Sequence, residues 1–301
     1  VSRPALRRGP LLMAGATLAF TIMVGLVKVA RTELSAMEIV LWRGVVGIPL
    51  AALLLRGQSI RIHARRMMLA RVVLGFAAMI CFYTATKGLS VADHSLITKV
   101  QPLLVAGVAP LVLGAEERPG GRVFGALLLG MAGCALLLAP DLQGGGTWGL
   151  WALGAAALSA MAHTALRALG RTDHPAVIVF WLQVAILPLS LALKIAWDGH
   201  LPRIPPVSLW GPIAGVGACA IVGQSLMTRA YRHDKAALVA GASYLAPLFG
   251  VVGDAAFFST LPSVYTLIGG SLIVTSGIAV VLAREVPAAA LPSPAPPRKS
   301  A

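Results

Sequence analysis

Ionisable side chains inside long apolar runs need a reason, because a charge at the centre of a bilayer costs about 2.5 to 3.5 kcal/mol on insertion scales. Lys99 stands in such a run, three residues before Pro102. Proline has no backbone donor, so Pro102 frees the carbonyl four residues earlier for Ser95, Thr98 or a ligand to use. Lys99 could take a carboxylate or phosphate in a central cavity, or snorkel outward to the headgroups. Arg43 sits at a similar depth beside Trp42. With Lys99 it would make an anion-selecting entrance; alternatively it pairs with Glu38 or Asp254 and holds helices together. His163 and Arg167, four residues apart, share a helix face. Histidine titrates near neutral pH, so His163 could relay a proton, or it is a hydrogen-bonded structural residue. Gln183, Gln224 and Gln101 can hydrogen-bond a solute or bridge helices. Tyr83, Tyr244, Trp42 and Trp181 could face an aromatic solute or anchor the chain at a membrane interface. Glu116 and Glu117 read as a charge cluster with Arg118 and Arg122. The candidate solute-binding set is therefore Lys99, Arg43, Tyr83, Gln183, Gln224 and Tyr244, with His163 as a candidate proton relay.

The elements that must position these residues follow from composition. The chain of 301 residues is 57% hydrophobic and 12% charged, with a mean hydropathy of +0.83; a soluble core does not need this much apolar surface. A spanning helix needs about 20 mostly apolar residues. Five such stretches run from Leu11 to Val29, Met37 to Leu55, Ala70 to Leu89, His94 to Leu113 and Val123 to Ala139. Five more run from Trp148 to Ala168, Ala176 to Ile195, Leu209 to Tyr231, Ala236 to Phe257 and Ser263 to Ala283. Their apolar residues are continuous rather than alternating, which predicts helices and not barrel strands. Gly121xxxGly125 and Gly211xxxGly215 have the spacing of close helix contacts. Cys81, Cys134 and Cys219 show no paired spacing and read as packing residues. No HExxH, GxSxG or P-loop spacing occurs, and no cofactor or metal is implied.

The formal charge of +14 is spread over short connections rather than gathered on one soluble face, which argues against nucleic acid. With the N-terminus inside, most Lys and Arg, including the run from Arg56 to Arg71, fall on the cytoplasmic side. The exceptions are Lys28, Arg31, Arg43, Lys87, Lys99, Lys194 and Arg203. That asymmetry predicts both termini inside. The tail after Arg284, rich in Pro, Ala and Ser, is expected to be disordered.

Gly15 to Pro49 lies on Gly154 to Pro188 without gaps, pairing Trp42 with Trp181. Ala85 to Pro102 lies on Ala230 to Pro247, and a one-residue shift brings Gly125 and Gly133 onto Gly269 and Gly277. Five spans per copy, an odd number, put the second copy upside down. Inverted repeats of this kind build alternating access around a midplane site in secondary transporters.

The stretch from Phe82 to Leu138, FYTATKGLSVADHSLITKVQPLLVAGVAPLVLGAEERPGGRVFGALLLGMAGCALLL, resembles the EamA-type transporters of the drug/metabolite transporter superfamily. The resemblance rests on Pro102, Glu116 or Glu117, Gly125, Gly130 and Gly133, and extends over nearly the whole chain. The second copy keeps Pro247, Gly269, Gly270 and Gly277 but has Ser259, Thr260 and Leu261 where many members carry an acid. The family implies ten spans, with the first four of each copy around the pathway and spans five and ten in support.

The expected fold is thus an all-α integral membrane protein of ten transmembrane helices in two inverted five-helix repeats, 1–140 and 141–284, with a cytoplasmic tail over 285–301. The expected activity is secondary transport, export or permeation, of a small metabolite such as an amino acid or another anionic or zwitterionic solute across the cell inner membrane. The partners are that solute and the lipid bilayer, and assembly as a homodimer stays open. A membrane enzyme acting on lipid or isoprenoid substrates is the alternative.

Overall fold

The computed structural model describes residues 7–85, 88–89, 96–138, 147–258 and 264–282, without the side chains of residues 83, 254–258 and 266. The side chains of Tyr83 and Asp254, the segment from Ser259 to Leu261 and the 285–301 tail lie outside the described residues. Among the described residues every regular element is helical. The first half contains α1 (Arg8–Ala30), α2 (Ala36–Leu55), α3 (Arg65–Ala85), α4 (Gln101–Leu113) and α5 (Gly121–Leu138). The second contains α6 (Trp148–Thr172), α7 (Pro175–Asp198), α8 (Trp210–His233), α9 (Ala236–Gly241), α10 (Leu245–Phe258) and α11 (Val264–Leu282). Among the described residues seven helical runs are long and apolar enough to cross a membrane, and Gly121–Leu136 and Leu267–Leu282 are shorter apolar helices. The chain is an all-helical, multi-pass membrane protein.

Local signals set several helix ends. Ser35 and Glu38 form a capping box at the start of α2, each side chain bonding the other residue's backbone N–H;. Pro175 starts α7 in the first turn, where its missing donor costs nothing, and Gly199 ends it with φ 72°;. The largest helix pairings are α1 with α8, α3 with α6, α5 with α11 and α2 with α7, so each joins a helix of one half to a helix of the other. Small residues make these approaches close. A Cβ on Gly133 would lie 2.9 Å from the Gly269 carbonyl oxygen and 3.0 Å from the Ile273 nitrogen, which is backbone contact across α5 and α11. Gly217 faces Val46 and Gly223 faces Phe20 in the same way, at 2.6 Å each. Of the two GxxxG pairs only Gly215 meets another helix, a Cβ there lying 2.7 Å from Leu26 Cδ1 of α1, whereas Gly121, Gly125 and Gly211 have nothing within 4 Å.

The face of the bundle where α1 begins, called proximal here, is tied by buried carboxylates. Glu117, 1% exposed, sits on the turn between α4 and α5 and accepts from Arg167 Nε at 2.8 Å, Arg171 Nη2 at 2.7 Å and the Ala236 backbone N–H at 2.9 Å. Arg167 also donates to the Tyr231 and Arg232 carbonyls at the end of α8. One carboxylate thereby gathers α4, α6, α8 and α9. The partners differ from the expected Arg118 and Arg122, because helices distant in sequence end beside Glu117. Asp234 binds Arg7 and the Gly9 N–H, and Asp173 takes the N–H groups of His63 and Ala64. On the distal face, Glu38 takes the Arg203 N–H at 2.9 Å and lies 3.4 Å from Lys194, which also pairs with Asp198. Lys194, expected near the outer surface, is 1% exposed.

Two tryptophans complete these ties reciprocally. Trp42, near the start of α2, donates to the Arg203 carbonyl in the connection after α7, at 2.9 Å. Trp181, near the start of α7, donates to the Ile60 carbonyl in the connection after α2, at 2.7 Å. Both hold backbone rather than face the interior.

Two outcomes follow. Gly133→Leu must push α5 from α11 through backbone contacts, at an overpacking cost of about 1 to 3 kcal/mol; Gly125→Leu meets nothing and is neutral. Thermal unfolding of the purified variants in detergent separates them. Burial alone would raise the Glu117 pKa, but the Ala236 N–H and the two arginines outweigh it and hold the carboxyl below its ordinary value of 4.5. A carboxyl lowered on folding stabilises above that ordinary value and loses its contribution as pH falls through the lowered one. Wild-type melting temperature therefore drops below about pH 4.5, and Glu117→Gln starts lower at neutral pH with a flatter acid limb.

Candidate functional site

Between the halves lies a cavity of about 490 Å³, within the usual range of roughly 300 to 1,000 Å³ for small-molecule sites. Its wall comes from α1 (Met13 to Val24), α2 (Arg43), α3 (Arg71 to Phe82), α6 (Ala155 to His163) and α8 (Gln224, Met227), with the backbone breaks at Thr98–Gln101 and Ser243. Alanines at 78, 155, 156 and 162 and Gly75 leave the space that larger side chains would fill.

Both breaks precede a proline. Residues 96–98 are helical, Lys99 and Val100 turn, and α4 restarts at Gln101 with Pro102 in its first turn. The second-half counterpart is a 3-10 turn over Ala242–Tyr244 between α9 and α10, before Pro247. In a continuous helix the residue-247 N–H would serve the Ser243 carbonyl, and proline has none. Lys99 Nζ donates to that carbonyl at 3.2 Å. Lys99 therefore points into the interior rather than snorkelling, and it bridges the break of one half to the break of the other.

Of the residues singled out by sequence, Lys99, Arg43, Gln224, Gln101 and His163 line the cavity. Gln101 Nε2 lies 2.6 Å from His163 Nδ1, bracing α4 against α6, and the imidazole stacks on Tyr231 with centroids 5.4 Å apart. Arg43 forms no ion pair with Glu38, whose oxygens are taken up by Ser35, Arg203 and Lys194. Two expected contacts lie elsewhere. Gln183 is buried between α7 and α2, where a Cβ on Gly47 would be 3.3 Å from its amide. Tyr244 packs on Gly130 of α5, on the side of the break away from the cavity wall. Arg167, though one turn from His163, turns to Glu117 at the proximal face.

Sequence reasoning missed Arg71. It was counted among cytoplasmic connection charges, but α3 begins at Arg65, so Arg71 stands well inside the helix, 5% exposed. Its Nη2 meets Gln224 Oε1 at 3.4 Å, and Gly75 one turn on makes room for Nη1, which a Cβ there would approach to 3.1 Å. The apolar residues flanking Arg71 were the available signal: it has no basic neighbour within four residues on its C-terminal side.

Chemically, the arrangement can bind and enclose a small polar solute. Among the described residues no group of three or more His, Cys, Asp or Glu could hold a metal ion, and the three cysteines are free.

The family model described as the EamA-like transporter family matches residues 7–139 and again 146–283. The pseudopaline exporter CntI of Pseudomonas aeruginosa is 31% identical over 281 residues, covering 91% of this chain and 96% of that protein. An uncharacterized transporter of Helicobacter pylori is 24% identical over 279 residues, covering 89% and 92%. A riboflavin transporter of Rhizobium johnstonii is 24% identical over 223 residues, covering 74% and 72%. A crystal structure superposes with a TM-score of 0.78 at 21% identity, over 91% of this chain and 96% of that one, a likeness of fold. Two family matches that together take in nearly every described residue, and a relative aligned almost end to end, settle what the geometry left open between carrier and membrane enzyme: the chain belongs to the EamA-like transporter family, and it is a secondary transporter.

Proposed function

We propose that the protein moves a small anionic or zwitterionic metabolite across the cytoplasmic membrane by alternating access, as an exporter or permease with both termini inside. The observation that carries this reading is the cavity walled by both halves and lined by Arg43, Arg71 and Lys99, with the carboxylates of Glu117, Asp173 and Glu38 engaged at the two faces. A pathway with cationic walls favours anionic or zwitterionic solutes over simple cations.

The proposed architecture is two inverted five-helix repeats, 1–140 and 141–284, with α9 and α10 counted as one broken span. Exchanging the copies sends the α1–α8 pairing onto α6–α3 and leaves α2–α7 and α5–α11 in place, which supports that division. The reciprocal tryptophan ties support it too: each fixes the connection after the other copy's second helix. Alternating access then exchanges which face is tied. Glu117, Asp173 and Asp234 hold the proximal, cytoplasmic face together, and the Glu38 and Trp42 ties act at the distal one. The substrate contacts are Lys99, Arg43 and Gln224, with Gln101 and His163 beside them. The named cargoes of relatives, pseudopaline and riboflavin, are the first solutes to try.

Proteoliposomes should move pseudopaline, riboflavin or a metabolite found by untargeted comparison of cells with and without the protein. Transport no faster than through empty vesicles for all of these, under every ion gradient, would sink the reading. Lys99→Ala and Arg43→Ala should each lower transport about tenfold, the scale of one charge-assisted contact, with membrane insertion intact. For topology, a reporter fused after Arg65 reads inside and one after Arg203 outside; finding both on one side rejects the inverted arrangement.

A further inference from the structure

Among the described residues Arg71 is a buried cation with no carboxylate partner. Lys194 has Glu38 and Asp198, Arg167 has Glu117, and Lys99 has the Ser243 carbonyl. Arg71 faces Gln224 from α8, His163 from α6, Tyr231 from α8 and Gly75 on its own helix, and none of these carries a negative charge at neutral pH. No ion pair joins it to a carboxylate among the described residues, and its Nε is buried without a hydrogen-bond partner. A guanidinium is planar, always charged and shaped for two parallel bonds to an oxyanion. Buried in a bilayer without a counter-ion it is costly, so an arrangement that keeps it there argues that a counter-ion arrives.

We propose that Arg71 is the recognition residue for a carboxylate of the cargo. The guanidinium takes the carboxylate by its open edge, and Gln224 steadies the other edge through Nη2. Gly75 is what lets the fork lie over α3: a side chain there would occupy its place. Small residues opposite, Ala155, Ala156 and Ser159 on α6, leave room for the rest of the solute. A carboxylate rather than a phosphate is favoured because the groups touching Arg71 are neutral, so one negative charge balances the guanidinium, and a second carboxylate, as in succinate, has Arg43 and Lys99 on the same cavity wall. This assignment rests on the transport reading for its cargo, but its test does not require transport.

The purified protein in detergent is titrated with succinate, citrate or inorganic phosphate at constant ionic strength, and thermal unfolding is followed. Wild type should be stabilised saturably by succinate or citrate. Arg71→Gln should raise the half-saturating concentration about tenfold or abolish the effect, and Arg71→Lys, which keeps the charge but loses the fork, should fall between. On unmodified wild type, phenylglyoxal labelling of Arg71, read by peptide mass spectrometry, should slow severalfold in succinate; this needs no variant to fold. Stabilisation by phosphate alone, no response of wild type to either carboxylate, Arg71→Gln within twofold of wild type, or labelling unaffected by succinate overturns the proposal. Carboxylate binding that Arg71→Gln removes, in protein that transports nothing in vesicles, leaves the site standing and removes the transport reading. Transport of a metabolite with unchanged rate in Arg71→Gln does the reverse.

Discussion

Irregular backbone at membrane depth needs partners for its carbonyls, and this protein places such a break at its centre. Pro247 deprives the Ser243 carbonyl of its α-helical partner, and besides the Leu245 N–H of the 3-10 turn it takes a charged donor, Lys99 from the opposite half, at 3.2 Å;. Two costs offset each other in that contact. A buried ammonium and an unserved carbonyl are each expensive alone, and a charged donor on a carbonyl is stronger than a neutral one. The result is a join across the middle of the molecule made from irregular backbone, which is tolerated at membrane depth only where protein or a cavity surrounds it. Here the same segment does both: it seals one break with the other and lines the cavity with what is left.

That central join would be of little use if the bundle could not be closed at its ends, and the acids do this. Glu117, Asp234 and Glu38 each accept backbone N–H groups and pair with charged side chains, and Asp173 accepts the His63 and Ala64 N–H groups and the Thr172 hydroxyl. Such bonds fix where helix ends and connections lie, not merely that two charges are near. Each also removes an acid from the interior. Among the described residues the polarity of the cavity follows from how the ends are tied, with carboxylates at the faces and cations and amides in the wall.

Much of the fold was legible because hydropathy and breakers are local. The helices from Arg8, Ala36, Trp148, Pro175 and Trp210 begin within three residues of the apolar runs expected from Leu11, Met37, Trp148, Ala176 and Leu209. The site was legible only in part. Lys99, which lines the cavity, was singled out through its distance from Pro102, a local relation. Arg71 was not, because its role depends on α3 starting five residues before the apolar run does, and an arginine at the edge of a basic connection looks like the rest of that connection. Tyr244 and Gln183 lie outside the cavity wall for another reason: a polar residue inside a span has several faces to point to, and these two pack on Gly130 and Gly47. Glycine's partner cannot be read from spacing, as Gly133 at a backbone contact and Gly125 facing nothing make plain.

The inequality of the two halves is where function can reside in an otherwise exchangeable arrangement. At the break, Lys99 in the first half corresponds to Tyr244 in the second, and only one of them reaches the cavity. Were both positions lysine, the two ammonium groups would compete across a short distance in a medium of low dielectric, at a repulsion far above its value in water. Were both tyrosine, the Ser243 carbonyl would lose its charged donor. One cation and one packed ring is the combination that satisfies the backbone on one side and fills the Gly130 space on the other. The cations that line the cavity among the described residues, Arg43, Arg71 and Lys99, all belong to the first half, so the charge of the wall is carried by one half alone.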